Sequence, residues 1–291
     1  MTAQSVCAVI VSYHPTSEMI ANMPDILDQV QSLVVVDNAS SEEALLPLRS
    51  ASQAHGFHLI ENDENLGIAE ALNQGVRWAK INGYLWVILF DQDSKITDGF
   101  VGQMLGAWES HPERERVASI HPRYLDPKTN TEMTVQRASD GSPVTSLTSG
   151  ALMPVWIFDR IGLFASEYFI DLVDWEYCLR IRAASYLIAE SPQAILLHAP
   201  GDQFRISILG HTFHRNSHNA TRRYYMTRNT IVFFRQYLFR FPQWVLSFAY
   251  KQLKDTVGCF IAEEDRAHKF RSFLLGTWDG LIGRMGSRDG L

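Results

Sequence analysis

The chain lacks most of the devices by which a sequence announces its chemistry. Its three cysteines, Cys7, Cys178 and Cys259, are too scattered for a CxxC metal knuckle and too few for a disulfide framework, which fits a reducing compartment. No apolar run approaches the roughly 18 residues of a membrane-crossing helix; the most apolar stretch of the tail is broken by Arg235, Gln236 and Arg240. No basic and apolar leader precedes the first strand-like run, so a cytoplasmic location is expected. No internal repeat is present, which argues against a solenoid. Neither GxGxxG nor GxxxxGKS/T follows the first apolar run, where Ser12-Tyr13-His14-Pro15 stands instead. Dinucleotide oxidoreductases, P-loop NTPases and sugar-nucleotide pyrophosphorylases are therefore disfavoured, since each needs a glycine-rich phosphate loop at that point.

What is present describes a folded protein. Of 291 residues, 46% are apolar, 11% aromatic and 20% charged, enough for one large domain or a domain with a substantial appendage. Charge is unevenly distributed: residues 1–214 hold 13 Lys and Arg against 26 Asp and Glu, a net of −13, and residues 215–291 hold 13 against 6, a net of +7. A basic, aromatic-rich tail on an acidic body suits either an anionic partner, membrane surface or phosphates, or a subdomain that neutralises the body. The division expected is a catalytic domain over 1–218 and a helical C-terminal region over 219–291.

Val6–Val11, Leu33–Val36 and Leu85–Phe90 are continuous β-branched and apolar runs, the pattern of strands covered on both faces. After Asn65, the residues Ala69, Leu72, Val76 and Ala79 share one helical face, and Asn82-Gly83 closes that helix. Strands alternating with helices imply βαβ units and a mostly parallel sheet, with ligands beyond the carboxyl ends of the strands. Three polar segments lie there: Ser12-Tyr13-His14, Asp37-Asn38-Ala39-Ser40 and Asp91-Gln92-Asp93-Ser94. A further buried strand, Ala194–Leu197, ends at His198, the segment 199–218 reads as a loop, and two or three amphipathic helices follow Asn219.

Strand alternation would send Asp91 and Asp93 to one side, where two carboxylates could share a hard divalent ion completed by substrate phosphates. The competing reading is turn or cap chemistry, to which Asp-x-Asp-Ser is also suited. His211, His214 and His218 have zinc-like spacing, but without cysteines or a nearby acid a loop that contacts phosphates is the better reading. Arg222, Arg223 and Arg228 fall on a predicted helix where guanidinium groups could gather on phosphate. The aromatics from Phe233 to Tyr250 suit a core, a dimer face or an interfacial membrane helix.

Taken in order, the segments VIVSYHP, VVVDNASS, ENDENLGIAEALNQGV, WVILFDQDS, TSGALMPVWIFDRIG and FIDLVDWEYCLR resemble the family 2 inverting glycosyltransferases of GT-A fold. The likeness is strongest to bacterial rhamnosyltransferases of O-antigen and related cell-surface polysaccharides, and it covers roughly residues 5–230. It implies an α/β fold with a Rossmann-like, mostly parallel sheet and a helical C-terminal appendage. It also implies that Ser12 and Tyr13 line the nucleoside pocket, that Asp37 accepts from the base, and that Asn65 and Gly67 open the helix flanking the donor. Asn73, inside that helix, is either a donor contact or an exposed polar residue. By the same resemblance Asp91 holds ribose or, through water, the metal; Asp93 ligates Mg²⁺ or Mn²⁺; and His198 completes the metal site. Asp174 would be the catalytic base, although Val173 stands where the family usually has a first acid.

The expected reaction is metal-dependent transfer of L-rhamnose from dTDP-β-L-rhamnose to a saccharide or lipid-linked saccharide. Arg223 and Arg228 would meet phosphates, and the protein would associate peripherally with the inner membrane, with a homodimer conceivable and no nucleic-acid partner. The rivals are a related enzyme using another nucleotide sugar, such as a UDP-hexose, and a non-catalytic carbohydrate-binding subunit. The joint presence of Asp91, Asp93 and Asp174 argues against the second, because binding alone needs no base.

Overall fold

The computed structural model describes residues 5–139, 141–198, 203–208, 211–216, 219–262 and 265–288. Two compact units emerge, one of Met1–Ser166 with Asp174–Ala199 and another of Glu167–Val173 with Pro200–Leu291.

The first unit is built on a mixed sheet. Strands β1 (Val6–Ser12), β2 (Ser32–Asp37), β3 (His58–Glu61) and β4 (Trp86–Asp91) lie parallel in the order β3-β2-β1-β4. The sheet continues through β8 (Leu152–Pro154), β6 (Val117–Asp126), β9 (Leu187–Leu197) and β5 (Lys95–Ile96), and β7 (Thr131–Glu132) pairs with β6. β8 runs antiparallel to both β4 and β6, a departure from the purely parallel βαβ pattern. Both faces of the central strands are buried, which is why they read as continuous apolar runs. Val6, Ala8 and Ile10 face a core closed by α1 (Ser17–Leu27), α2 (Glu42–His55) and α4 (Phe100–Ser110). On the alternate register Val9 meets α3 (Ile68–Ile81), where Gly75 allows the close approach: a Cβ there would lie 2.2 Å from Val9 Cγ1. A short helix α5 (Ile157–Ile161) and then α6 (Val173–Ala183) precede β9.

In the second unit, 203–208 and 211–216 form an antiparallel ribbon of β10 (Gln203–Ile208) and β11 (His211–Asn216), not the loop expected there. Over Gln203–Ile208 the alternation of Phe204, Ile206 and Ile208 with polar residues is the period of a strand, a signal that the loop reading passed over. Three helices follow, α7 (Ala220–Tyr237), α8 (Pro242–Ala262) and α9 (Arg266–Ile282). About half of the tail aromatics are core: Phe233, Tyr237, Trp244 and Phe248 are buried together, with Trp244 and Phe248 stacked at 5.7 Å, whereas Phe239 and Tyr250 are exposed. Among the described residues no helix is long and apolar enough to cross a membrane.

Candidate active site

The carboxyl ends of β1, β2 and β4 meet at one edge, and the polar residues there are bound first to each other. Ser12 and Asp37 are partners across the β1–β2 ladder, both fully buried, and Ser12 Oγ donates to Asp37 Oδ2 at 2.8 Å. Asp37 also accepts from the backbone N–H of Ser40 at 2.8 Å and from its hydroxyl at 2.6 Å, so a buried carboxylate is satisfied by three donors. Beside it, Asn38 donates to Asn65 Oδ1 at 2.9 Å and accepts from the N–H of Leu66 at 2.9 Å. Asn65 Oδ1 receives the N–H of Gly67, whose φ of +81° suits glycine at the cap of α3. Asn65 and Tyr13 are the members of this group that reach solvent, Tyr13 at 47% exposure, and the Tyr13 N–H donates to Gln92 Oε1 at 2.9 Å.

Asn73 is not the exposed polar residue of the second alternative. It is buried, donates to Phe164 O at 2.9 Å and Ser166 Oγ at 3.0 Å, and accepts from the N–H of Phe164 at 2.9 Å, bracing α3 against the 164–166 segment. Its amide is occupied because a polar side chain on the packed face of a helix must find partners.

β4 ends at Asp91, and Asp93 lies in the turn beyond it, closed by the N–H of Ser94 on Asp91 O at 3.1 Å. Alternation therefore does not govern the pair: Asp91 is half-buried and Asp93 exposed. The pairing of Lys95 with Leu197 brings this turn to the same sheet end as His198. Ser149, in the TSG segment, accepts from the N–H of Asp91 at 3.4 Å and shares a hydrogen bond with Ser94 Oγ at 2.6 Å, and Gly150 beside it has φ +80° with no room for a Cβ, which would sit 2.7 Å from Pro122.

Two oxygen acids and an imidazole suit a divalent cation in kind. Nδ1 of His198 is buried with no hydrogen-bond partner among the described residues, the state of a group left for a ligand. Yet no three His, Cys, Asp or Glu side chains converge as a ready-made metal site among those residues. The set fits a cation that takes much of its shell from substrate phosphates and water rather than a protein cage.

Tyr124, on β6, links this edge to the acidic cluster. Its hydroxyl donates to Ser149 O at 3.0 Å, and its ring stands edge-on to that of His198 at 6.4 Å. Burial drives the phenol's pKa well above its ordinary value, and the nearby negative charges of Asp174 and Asp91 push it in the same direction. Asp174, in the first turn of α6, is half-buried and lines a crevice with Ser119, His121, Tyr177 and Cys178. Glu176 is buried and bound by Arg180 at 2.7 Å, a helix-stabilising pair. Burial pushes the Cys178 thiol up to about 12, which leaves it a poor nucleophile. The same burial pulls His121 down to about 4. Gln92, Tyr124 and Ser149 were not singled out by sequence reasoning; their only signal was position inside the motif segments or next to the long strand β6.

In the second unit, Arg228 corrects an expectation. It is wholly buried, and its guanidinium is spent on the carbonyls of Glu167, Tyr168 and Gly286, leaving nothing for a phosphate. Arg223 is buried as well, because the face of α7 that carries both is the packed one. Arg222 pairs with Asp171 at 2.9 Å. His218 and the side chains of His211 and His214 lie outside the described residues.

Comparison with known proteins follows this geometry. The mannosyltransferase PcManGT from Pyrobaculum calidifontis, solved with GDP-Man and Mn²⁺, superposes with a TM-score of 0.57 over 96% of this chain and 88% of that one, at 14% identity. GalNAc-T7 with UDP, GalNAc and Mn²⁺ gives a TM-score of 0.56 at 12% identity over 71% of this chain, which spans 44% of that protein's length. The fold is thus that of the GT-A glycosyltransferases. Residues 7–149 match the family model for glycosyl transferase family 2. Across 97% of both chains the sequence is 27% identical to the dTDP-rhamnosyl transferase RfbF of Shigella flexneri. The protein is a glycosyltransferase that carries a family 2 domain over residues 7–149.

Proposed function

We propose that the enzyme transfers L-rhamnose from dTDP-β-L-rhamnose, with inversion, to a hydroxyl of a saccharide acceptor of cell-surface polysaccharide synthesis. The observation that carries the chemistry is that Asp174 lines a crevice with Ser146 and Thr148, while the next residue, Ser149, receives the N–H of Asp91 at 3.4 Å, so one short segment runs between the donor-side acid and the proposed base. The choice of donor is supported by the end-to-end likeness to RfbF. In this reading Tyr13, exposed beside Gln92, stacks or packs on the nucleoside, while Ser12, Asp37, Asn65, Gly67 and Asn73 hold the loops that surround it. Asp93, Asp91 and His198 would hold Mg²⁺ or Mn²⁺, which would supply positive charge for a departing diphosphate. Asp174 takes the proton of the acceptor hydroxyl as it attacks the anomeric carbon from the opposite face. No covalent intermediate is needed.

The test is transfer and donor hydrolysis across dTDP-rhamnose, UDP-hexoses and GDP-mannose, with Mg²⁺, Mn²⁺ or EDTA. Turnover of dTDP-rhamnose that EDTA abolishes is the expected result. Turnover confined to a UDP-hexose would replace the donor, and equal rates in EDTA would remove the metal.

The same reading includes peripheral docking on an anionic membrane. Along α9, Phe270, Leu274, Trp278, Leu281 and Ile282 are all at least half exposed, Arg266 and Arg271 are exposed on the same helix, and its single acid, Asp279, is buried. Apolar and basic side chains together are what an interfacial helix presents. Flotation with anionic vesicles, lost at high salt and absent with neutral lipid, is expected; a salt-independent dimer with no flotation would assign the face to a second copy.

A further inference from the structure

Three residues just ahead of α6 occupy a conformation that L-amino acids avoid. Phe169, Asp171 and Leu172 have φ values of 65°, 64° and 65°, and none is glycine. For bulky side chains this is strained backbone, which persists only where the surroundings over-determine it.

The surroundings here are one face of α7. The Asn229 amide donates to the carbonyls of Tyr168 at 3.0 Å, Ile170 at 2.7 Å and Asp171 at 3.0 Å. Arg228 donates through Nη2 to Glu167 O at 3.2 Å and Tyr168 O at 3.0 Å. Its Nε donates to Asn229 Oδ1 at 3.0 Å, which turns the asparagine's NH₂ toward the segment. Arg222 pairs with Asp171, and Tyr225 stacks on Phe169 at 4.8 Å. Positions 222, 225 and 229 are three and four residues apart, so one helix face meets the whole segment. Arg228 and Asn229 are both fully buried, and buried polar side chains of this kind are costly unless every donor is used. The segment then runs directly into α6, whose first turn carries Asp174.

We infer that Arg228 and Asn229 are positioning residues for this glycosyltransferase: together they hold Phe169–Leu172 in its left-handed conformation and so fix where the helix bearing Asp174 begins. The inference rests on the proposed role of Asp174 as base. It places two residues far along the chain in the service of the acid's geometry rather than of ligand phosphate.

The experiment compares Asn229→Ala, and the milder Arg228→Lys in case the first does not fold, with the wild type. Lysine keeps the charge but not the planar fork. Three quantities are read: kcat and donor KM for transfer, dTDP affinity, and amide hydrogen exchange by segment. The expected result is a kcat at least tenfold lower, a donor KM and dTDP affinity within about twofold of wild type, and faster exchange confined to 167–176. Unchanged kcat despite faster local exchange would overturn the inference. So would a parallel loss of kcat and dTDP affinity with faster exchange throughout, the mark of a merely structural role. Wild-type turnover by Asp174→Asn would instead remove the base, while the exchange data would still report on the clamp.

Discussion

The strand-end loops of the first unit and the α7 face of the second carry similar polar residues, yet they use them differently. At the carboxyl ends of β1, β2 and β4 the inner residues, Ser12, Asp37 and Asn38, are satisfied within one network, and Tyr13, Asn65 and Asp93 are exposed at the rim. On α7 the arginine that might have met a ligand is buried to its last atom and bound to carbonyls. Asp93 keeps access to solvent because it stands in the turn beyond β4, whereas Asp37, at the last position of β2, is buried and gives its oxygens to Ser12 and Ser40. A guanidinium on the packed side of a helix must give all its donors to the protein. The lesson is that an inward network frees outer groups for ligand, whereas a buried cation is itself structure.

Asp174→Asn should have the largest effect on function: transfer falls about 10²–10⁴-fold, the contribution of a positioned general base, while dTDP affinity persists. Stopped assays of transfer beside calorimetry with dTDP check both halves, and lost dTDP binding would move Asp174 to the donor side. Asp93→Ala should abolish the metal-dependent part of dTDP affinity and leave the melting temperature nearly unchanged, since an exposed turn acid contributes little packing; calorimetry with and without Mg²⁺ decides it.

Stability sharpens the comparison on α7. Arg228→Met should cost about 3 kcal/mol or more, because it strands several buried carbonyls, whereas Arg222→Ala, which removes a half-exposed ion pair, should cost about 1 kcal/mol at most. Urea unfolding of the two variants in parallel measures the difference, and equal costs would break the distinction drawn here.

His121 offers a smaller, pH-dependent effect in the first unit. Burial holds its pKa at about 4 in the folded protein against 6.5 for an ordinary imidazole. Between those values the unfolded chain takes up a proton that the folded chain refuses. The contribution of the neutral imidazole is therefore complete above pH 6.5 and declines by about 1.4 kcal/mol per pH unit as pH falls toward 4. His121→Gln should flatten that part of the stability profile, as urea midpoints at pH 7, 5.5 and 4.5 would report.

Much of the first unit was legible in the residues. Three β-branched runs became β1, β2 and β4, because strands buried on both faces need apolar side chains at every position. Helix α3 was readable from its apolar spacing and from Asn82-Gly83, and the strand-end rule picked out the polar loops before any coordinate was known. The antiparallel β8 was not, since a three-residue strand carries no periodicity and takes its place from pairing partners distant in the chain, and the β10–β11 ribbon was missed although Phe204, Ile206 and Ile208 alternate as in a strand. Strand alternation likewise failed for Asp91 and Asp93, because the strand stops at the first of them.

The sequence by itself determined which residue types stand at the strand ends and on the faces of each helix, because covalent order and the periods of strand and helix impose these locally. Only the tertiary structure decided what each polar group does. Helical spacing placed Arg222, Arg223 and Arg228 together on α7, but whether a guanidinium meets a ligand or a backbone depends on what packs against it. For Arg228 the answer came from carbonyls some sixty residues away in the chain, and the Tyr124 hydroxyl likewise found its partners, Ser146 and Ser149, only across the fold. Burial and through-space charge arise from contacts between distant segments, and no local pattern encodes them.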